Sequence, residues 1–595
     1  MSPHLWGKRR QKHTKTMKMN DIPLLSVENL RIAFRSKEDG SRFSAVKDLS
    51  FSIAEGEILG IVGESGSGKS VTALSIMNLL HQAECGGKIL FRHEEGQTDL
   101  LACTPNEMRA FRGNRIGMVF QEPMTSLNPS MRCGKQVAEV LRLHLRIPPE
   151  EARKEVLRLF EEVMLPDPEK VFRAYPHEIS GGQKQRVMIA MAIACKPRLV
   201  IADEPTTALD VTVQKTILEL LKSLQRKHGM SVMFISHDLG VVANIAERVV
   251  VMYRGEKVEE GPIASLFRHP RHPYTKGLLA CRVPLDKRYL RLPTVPDFLK
   301  ANESGGDPLQ QLQVVTEAQW REESESLCAQ PPLLEVRHLG KHYPLPRKWG
   351  QERRWFRAVD DVSFSLYEGE TLGLVGESGC GKTTLGRCVL RLIEPTQGEV
   401  LYKGRDLCKL SSREMRALRK ELQLVFQDPY ASLNPRQTVG MAILEPMRLH
   451  GMCANDRERR ERVMELLEQV HLRPEDFRRY PHEFSGGQRQ RVCIARALSL
   501  QPRLIICDES VSALDVSIQA QVLNLLKELK EKYGFACLFI SHDLSVVKFM
   551  SHRVMVMQGG RMEELQQSDT LYRHPQTDYT RHLLDAVPKI SFSER

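Results

Sequence analysis

Two stretches of alternating apolar and polar positions open the chain, Leu25 to Phe34 and Ala45 to Ile53, and their period of two predicts strands of an antiparallel sheet. The run Ile58 to Val62 lacks that alternation and reads as a strand buried on both faces, followed by a Gly-rich turn and a helix. The series then returns as Leu333 to Tyr343, Ala358 to Leu366 and Thr371 to Val375. Further apolar runs, Arg198 to Asp203 with Val232 to Ser236 and Arg503 to Asp508 with Cys537 to Ser541, alternate with helical segments, which predicts a parallel α/β sheet in each half. Over roughly 131–178 and 437–483 the period is mainly helical. Charged amphipathic stretches there, Pro149 to Val163 and Arg457 to Val470, predict a small helical subdomain in each half.

The repetition is a duplicated domain and not a solenoid, because the unit is some three hundred residues long and keeps its register. Lys69 and Lys382 are 313 apart, Gln121 and Gln427 306, and Ser180/Ser485, Asp203/Asp508 and His237/His542 all 305. The expected division is a basic tail over 1–24, a first α/β domain over 25–265, an extension and linker over 266–330, a second α/β domain over 331–565, and a second extension over 566–595. From Asp286 to Gln330 the sequence turns polar, including Ala301-Asn-Glu-Ser-Gly-Gly-Asp-Pro and Arg321-Glu-Glu-Ser-Glu-Ser, which predicts a flexible linker.

Composition narrows the class. With 595 residues, 41% hydrophobic and 27% charged, the chain has the balance of a soluble multidomain protein and no apolar run of the ~18 residues a membrane span needs. Its 13 cysteines include no Cys-x-x-Cys pair and no zinc-finger spacing, so buried thiols in a reducing compartment are expected. Of the formal charge of +12, a large share sits in residues 1–24, where Lys8, Arg9, Arg10, Lys12, Lys15 and Lys18 face Asp21 alone. Basicity therefore argues little for a nucleic-acid face on the main body. The tail lacks a secretory apolar region, and Met17 and Met19 are alternative starts to Met1.

Candidate chemistry falls at the ends of the buried strands. Gly63-Glu-Ser65-Gly66-Ser-Gly68-Lys69-Ser70 and Gly376-Glu-Ser378-Gly379-Cys-Gly381-Lys382-Thr383 both fit the P-loop pattern between a strand and a helix. There, backbone N–H groups face phosphates, the Lys reaches β/γ oxygens and the Ser70 or Thr383 hydroxyl meets Mg²⁺. Asp203-Glu204 and Asp508-Glu509 end apolar strands; the first acid of each suits Mg²⁺ and the second can polarise water. His237 and His542 follow strands and are placed to contact a γ-phosphate or orient that water. Ser236-His237-Asp238 and Ser541-His542-Asp543 are not hydrolase triads, because adjacent side chains at a strand end point to different sides. Gln121 and Gln427 also end strands, where a Gln can contact both metal and water. Ser180-Gly181-Gly182-Gln183 and Ser485-Gly486-Gly487-Gln488, each after Tyr-Pro-His-Glu, open helices with N–H groups and a hydroxyl able to hold phosphate.

This order of P-loop, Gln, Ser-Gly-Gly-Gln, Asp-Glu and His resembles the ATP-binding cassette ATPases over both halves. The resemblance implies two P-loop NTPase (RecA-like) α/β cassettes, each with an antiparallel β subdomain and a helical subdomain, that bind ATP and Mg²⁺. It implies that Phe34 and Tyr343 stack on adenine, that Asp210 and Asp515 link the two sites, and that Ser485 completes the site of Lys69 and Ser180 that of Lys382. Gln-Glu/Asp-Pro-x-x-Ser-Leu-Asn-Pro, Tyr-Pro-His-Glu and His272-Pro-Tyr-Thr-Lys-Gly-Leu-Leu279 are similar to peptide and nickel importer ATPases, and the fusion of two cassettes resembles glutathione- and dipeptide-importer subunits. An uptake ATPase of this kind is expected peripherally on the cytoplasmic face of the bacterial inner membrane. Its partners are two permease subunits and an extracytoplasmic solute-binding protein, with no nucleic acid and no metal cluster. Departures from the pattern are Ile179 and Phe484 for Leu, Ser510 where the first half has Pro205, Asp578 where it has Pro273, and a polar Gln558 to Gln567. The competing class, soluble twin-cassette ATPases acting on ribosomes or DNA, needs a basic inserted helix or zinc-binding Cys pairs. The acidic linker and the absence of Cys-x-x-Cys oppose it.

Overall fold

A computed structural model describes residues 22–35, 40–80, 82–207, 209–345, 354–512 and 514–587. The expected basic tail lies outside them apart from residues 22–24, as do Ala208, Ala513 and the end of the second extension.

Each half has a five-stranded parallel core. In the first, the order is Arg248–Tyr253, Ile58–Val62, Ser231–Ser236, Leu199–Asp203, Ile116–Val119. In the second it is Arg553–Gln558, Thr371–Val375, Ala536–Ile540, Leu504–Asp508, Leu422–Val425. Ile58–Val62, Ser231–Ser236, Leu199–Asp203 and their counterparts are buried at every residue, as unbroken apolar runs require when helices cover both faces. The strand between the P-loop strand and the acid-bearing strand, Ser231–Ser236 or Ala536–Ile540, is the one that leads to His237 or His542. The acid-bearing strands thus lie two places from the P-loop strands.

The alternating segments form the antiparallel subdomains. Leu25–Arg35 pairs with Arg42–Ile53 and Ala83–His93, and Pro332–Pro344 pairs with Trp355–Tyr367 and Gln397–Tyr402. The helical subdomains follow: Cys133–Leu145, Pro149–Glu162 and Pro168–Arg173 in the first half, Val439–Leu449 and Asp456–Gln469 in the second. Val137, Leu141, Val156 and Phe160 bury their apolar stripes against Val187 and Met188 of the helix Gly181–Ile193. The polar Gln558 to Gln567 stretch includes the strand Arg561–Gln567, which pairs on one side only, with Arg553–Gln558, so an edge position accounts for its composition.

The expected open linker is instead folded. Residues 286–330 include the helix Val295–Ser304, which packs on Pro273–Ala280, and the helix Glu317–Cys328, and a few groups of the segment anchor on the second α/β domain. The Trp320 ring, 7% exposed, stacks on His552 at 4.6 Å, and its indole N–H donates to the Ser551 carbonyl at 3.2 Å. The buried Arg288 guanidinium lies 4.2 Å over that ring and donates to the Phe549 carbonyl and the Asp569 carboxylate, both at 3.2 Å. Asn524 makes both bonds of a backbone pair with Leu292, each 2.8 Å. Average polarity conceals this docking, because three well-spaced anchors suffice for it. Among the described residues no helix is long and apolar enough to cross a membrane.

Candidate functional site

Each P-loop leaves the C-terminal end of its strand and turns sharply into a helix at a left-handed glycine. Gly68 has φ 100°, and a Cβ there would lie 2.8 Å from the Ala45 carbonyl oxygen; at Gly381, φ 105°, it would lie 2.1 Å from that of Ala358. Only glycine meets both the dihedral and the close approach. The Lys69 ammonium is bonded to the Gly63 and Glu64 carbonyls at 2.8 and 2.9 Å, and Lys382 to those of Gly376 and Glu377 at 2.7 and 2.8 Å. The helix after the loop carries Ser70 or Thr383 over the intervening strand, so that Ser70 donates to Asp203 at 3.0 Å and Thr383 to Asp508 at 2.9 Å.

The second acid departs from the strand by a backbone change. Glu204 and Glu509 have φ of 46° and 48°, an uncommon region for a residue with a Cβ, while their N–H groups still bond the neighbouring strand at the Ile235 and Ile540 carbonyls. The turn directs each carboxylate toward the sheet end. Gln121 donates to Glu204 at 3.0 Å and Gln427 to Glu509 at 2.9 Å; His237 lies 3.1 Å from Glu204, and His542 3.4 Å from Glu509. Thr207 adds a further donor to Glu204 at 2.9 Å. Lys, hydroxyl, both acids, Gln and His therefore converge in each half, although they are spread over some 170 residues of sequence.

The two acids of each pair are pushed apart electrostatically. Burial raises Asp203 to about 6, against the opposing bond from Ser70. For Glu204 burial also pushes upward, but the bond and charge of His237 outweigh it and hold the carboxyl at about 2. Asp508 and Glu509 show the same opposition in direction. Burial alone lowers His237 and His542, and the paired glutamates reverse this and raise both. One acid in each site thus stays ionised beside its imidazole, and the other sits where a cation would relieve its desolvation. Ser70, Asp203 and Gln121 form a hard oxygen donor set suited to Mg²⁺, as do Thr383, Asp508 and Gln427.

The halves meet reciprocally at these sites. Asp515 accepts from the Ser65 N–H at 2.6 Å and lies 3.9 Å from His237; Asp210 accepts from the Ser378 N–H at 3.3 Å. A cavity of about 390 Å³ on the second P-loop is lined by Gly379, Gly381, Lys382, Gln427, Glu509 and His542 together with Asp210 from the first half. Of the paired aromatics Tyr343 and Phe356, it is Phe356 that lines this cavity, and Tyr343, 36% exposed, has Lys341 over its ring at 5.2 Å. Phe34 is half-buried opposite Phe43, which stands 65% exposed in the position matching Phe356.

Ser180 and Ser485 are exposed N-caps of the helices Gly181–Ile193 and Gly486–Leu498. Each forms a capping box: Gln183 N–H donates to Ser180 Oγ at 3.3 Å and Ser180 N–H to Gln183 Oε1 at 3.0 Å, with Ser485 and Gln488 repeating both distances. Among the described residues no hydrogen bond joins either serine to the opposite P-loop. Gly182 and Gly487 allow close helix packing, since a Cβ would lie 2.9 Å from Val213 and 2.3 Å from Ile518. The preceding Tyr-Pro-His-Glu forms a single 3₁₀ turn in each half, closed by Glu178 on the Tyr175 N–H at 2.7 Å and Glu483 on the Tyr480 N–H at 2.6 Å.

Two contacts escape the motif reading. The Tyr274 hydroxyl accepts from the Glu64 N–H at 2.9 Å, and the Tyr579 hydroxyl from the Glu377 N–H at 3.2 Å. Their equal spacing of 305 is the sequence signal that could have found them, although Asp578 replaces the Pro273 that precedes the first.

Residues 46–207 and 359–512 match the family model of the ABC transporter, and residues 258–305 match that of the oligopeptide/dipeptide transporter C-terminal region. The chain is 48% identical over 582 residues to the glutathione import ATP-binding protein GsiA of Salmonella choleraesuis, covering 97% of this chain and 91% of that protein. It is 49% identical over 581 residues to the protein of the same name from Pectobacterium atrosepticum, covering 96% and 90%. For that of Escherichia coli K12 the identity is 49% over 570 residues, covering 95% and 89%.

Proposed function

We propose that this chain, which belongs to the ABC transporter family, is the ATP-hydrolysing subunit that powers uptake of glutathione or a related di- or oligopeptide-like solute. The observation that carries the reading is the reciprocal junction, in which each half's Lys, hydroxyl, acid, Gln and His cluster is joined by an aspartate from the other half. The names of the relatives support the cargo class. Exposed Tyr430 beside Gln427, and Leu143 and Leu449 at 71% and 75% exposure on the helical subdomains, support docking to two separate permease subunits at the cytoplasmic face of the inner membrane. An extracytoplasmic solute-binding protein completes the proposed assembly.

Mg²⁺, when bound with the nucleotide, neutralises phosphate charge. Ser70, Asp203 and Gln121 would hold it in the first site and Thr383, Asp508 and Gln427 in the second. Lys69 and Lys382 exchange their carbonyl partners for phosphate oxygens. Glu204 and Glu509, kept ionised, accept hydrogen bonding from the attacking water, which His237 and His542 orient. Ser485 and Ser180 release their own capping boxes and, with Gly486, Gly487, Gly181 and Gly182, close over the phosphates bound at Lys69 and Lys382, respectively. Closure driven by nucleotide and reopening after hydrolysis would move the loops after Gln121 and Gln427 against the permeases.

The test is reconstitution of the chain with its permeases in liposomes, scoring ATP turnover and solute entry with and without glutathione-loaded binding protein. MgATP-dependent entry of glutathione, lost in Ser485→Arg, is expected. Turnover indifferent to the binding protein and its solute would refute the coupling.

A further inference from the structure

We infer that Tyr274 and Tyr579 are positioning residues for the two nucleotide sites, each fixing the peptide plane on which its P-loop lysine rests. The inference rests on the proposed ATP-binding role. The peptide between Gly63 and Glu64 is held at both ends: its N–H donates to the Tyr274 hydroxyl at 2.9 Å, and its carbonyl accepts from Lys69 at 2.8 Å. In the second half the Gly376–Glu377 peptide is held likewise, its N–H by Tyr579 at 3.2 Å and its carbonyl by Lys382 at 2.7 Å. Rotation of either plane would carry the lysine's resting oxygen away and alter the direction of the next amide. That next amide, of Ser65 or Ser378, is the one bonded to the aspartate of the opposite cassette.

The tyrosines come from outside the cassette motifs, on the extension helices Pro273–Ala280 and Asp578–Ala586. Tyr274 is fully buried, and its ring stacks on Tyr253 at 4.2 Å. The helix Pro273–Ala280 also packs on Val516–Tyr533, which begins at Asp515, and Asp578–Ala586 packs on Val211–His228, which begins at Asp210. Each extension helix thus touches its own P-loop and the element that delivers the opposite aspartate. The arrangement recurs in both halves despite different preceding residues, His272-Pro in one and Thr577-Asp in the other, so the tyrosine hydroxyl is its shared element.

The experiment titrates the full chain with trinitrophenyl-ATP and Mg²⁺, in wild type, Tyr274→Phe, Tyr579→Phe, the double variant and Tyr253→Leu. Phenylalanine keeps the ring and removes only the acceptor. Each single variant is expected to weaken one of two binding equivalents roughly tenfold, the loss due to one unmade, partly buried hydrogen bond, and the double variant to weaken both. Tyr253→Leu disturbs the packing and keeps the hydroxyl; it is expected to lower the melting temperature with nucleotide affinity unchanged. Wild-type affinity in both phenylalanine variants, or equal weakening by Tyr253→Leu, would overturn the inference alone. A wild-type chain that binds no nucleotide would overturn the proposed function as well.

Discussion

Replacing Trp320 by Ala should destabilise the second cassette, although the residue lies in a segment whose composition reads as a linker. An aromatic side chain of this size buries about 150–250 Å², and at about 25 cal/mol per Å² its removal from water contributes roughly 4–6 kcal/mol. Residual compactness of the unfolded chain trims that by roughly 10–40%, leaving about 3–5 kcal/mol, the range found for Trp-to-Ala changes in cores. The substitution also leaves the Ser551 carbonyl without its indole donor and uncovers the Arg288 guanidinium. For a cooperative unit the size of one cassette, about 2–4 °C per kcal/mol converts this into a fall of roughly 6–20 °C in the corresponding calorimetric transition. Trp320→Phe, which keeps a ring over His552 but loses the N–H and part of the indole's buried volume, should cost less, roughly 1–3 kcal/mol. An unchanged transition in Trp320→Ala would show that the segment merely rests on the cassette.

Three further outcomes follow from the site. Glu204→Gln and Glu509→Gln should each reduce turnover at their own site by roughly 10²–10⁴-fold with nucleotide still bound, measured as single-turnover ATP hydrolysis; undiminished hydrolysis would remove the proposed base role. Gly487→Ala should cost about 1–3 kcal/mol through its clash with Ile518, and much less when introduced into Ile518→Ala than into the wild type, as read from urea unfolding midpoints. Asp203 has its folded-state pKa raised by burial to about 6 from 3.8, so its ionisation opposes folding and metal-free stability falls as pH rises between those values. Asp203→Asn should therefore raise the melting temperature above pH 6, by at most about 3 kcal/mol of stability, with the gain vanishing below pH 4 and Mg²⁺-dependent nucleotide binding lost.

What the sequence determined was local and periodic. The strands Ile58–Val62 and Thr371–Val375 follow from unbroken apolar runs, the helical subdomains from their amphipathic stripes, and the P-loops from glycine spacing that only one kind of turn uses. Duplication strengthened each of these, since a motif that recurs in register needs one explanation for two occurrences. Tertiary structure decided what depends on through-space partners. It inserted the His237 strand between the P-loop and Asp203, turned Glu204 through a left-handed backbone toward Gln121, and brought Asp515 to a P-loop 450 residues away. It also brought Phe356 to the cavity wall and folded the polar 286–330 segment onto the second cassette through Arg288, Trp320 and Leu292. Such contacts leave little periodic trace, because one tyrosine hydroxyl or one indole can fix a segment whose other side chains face water.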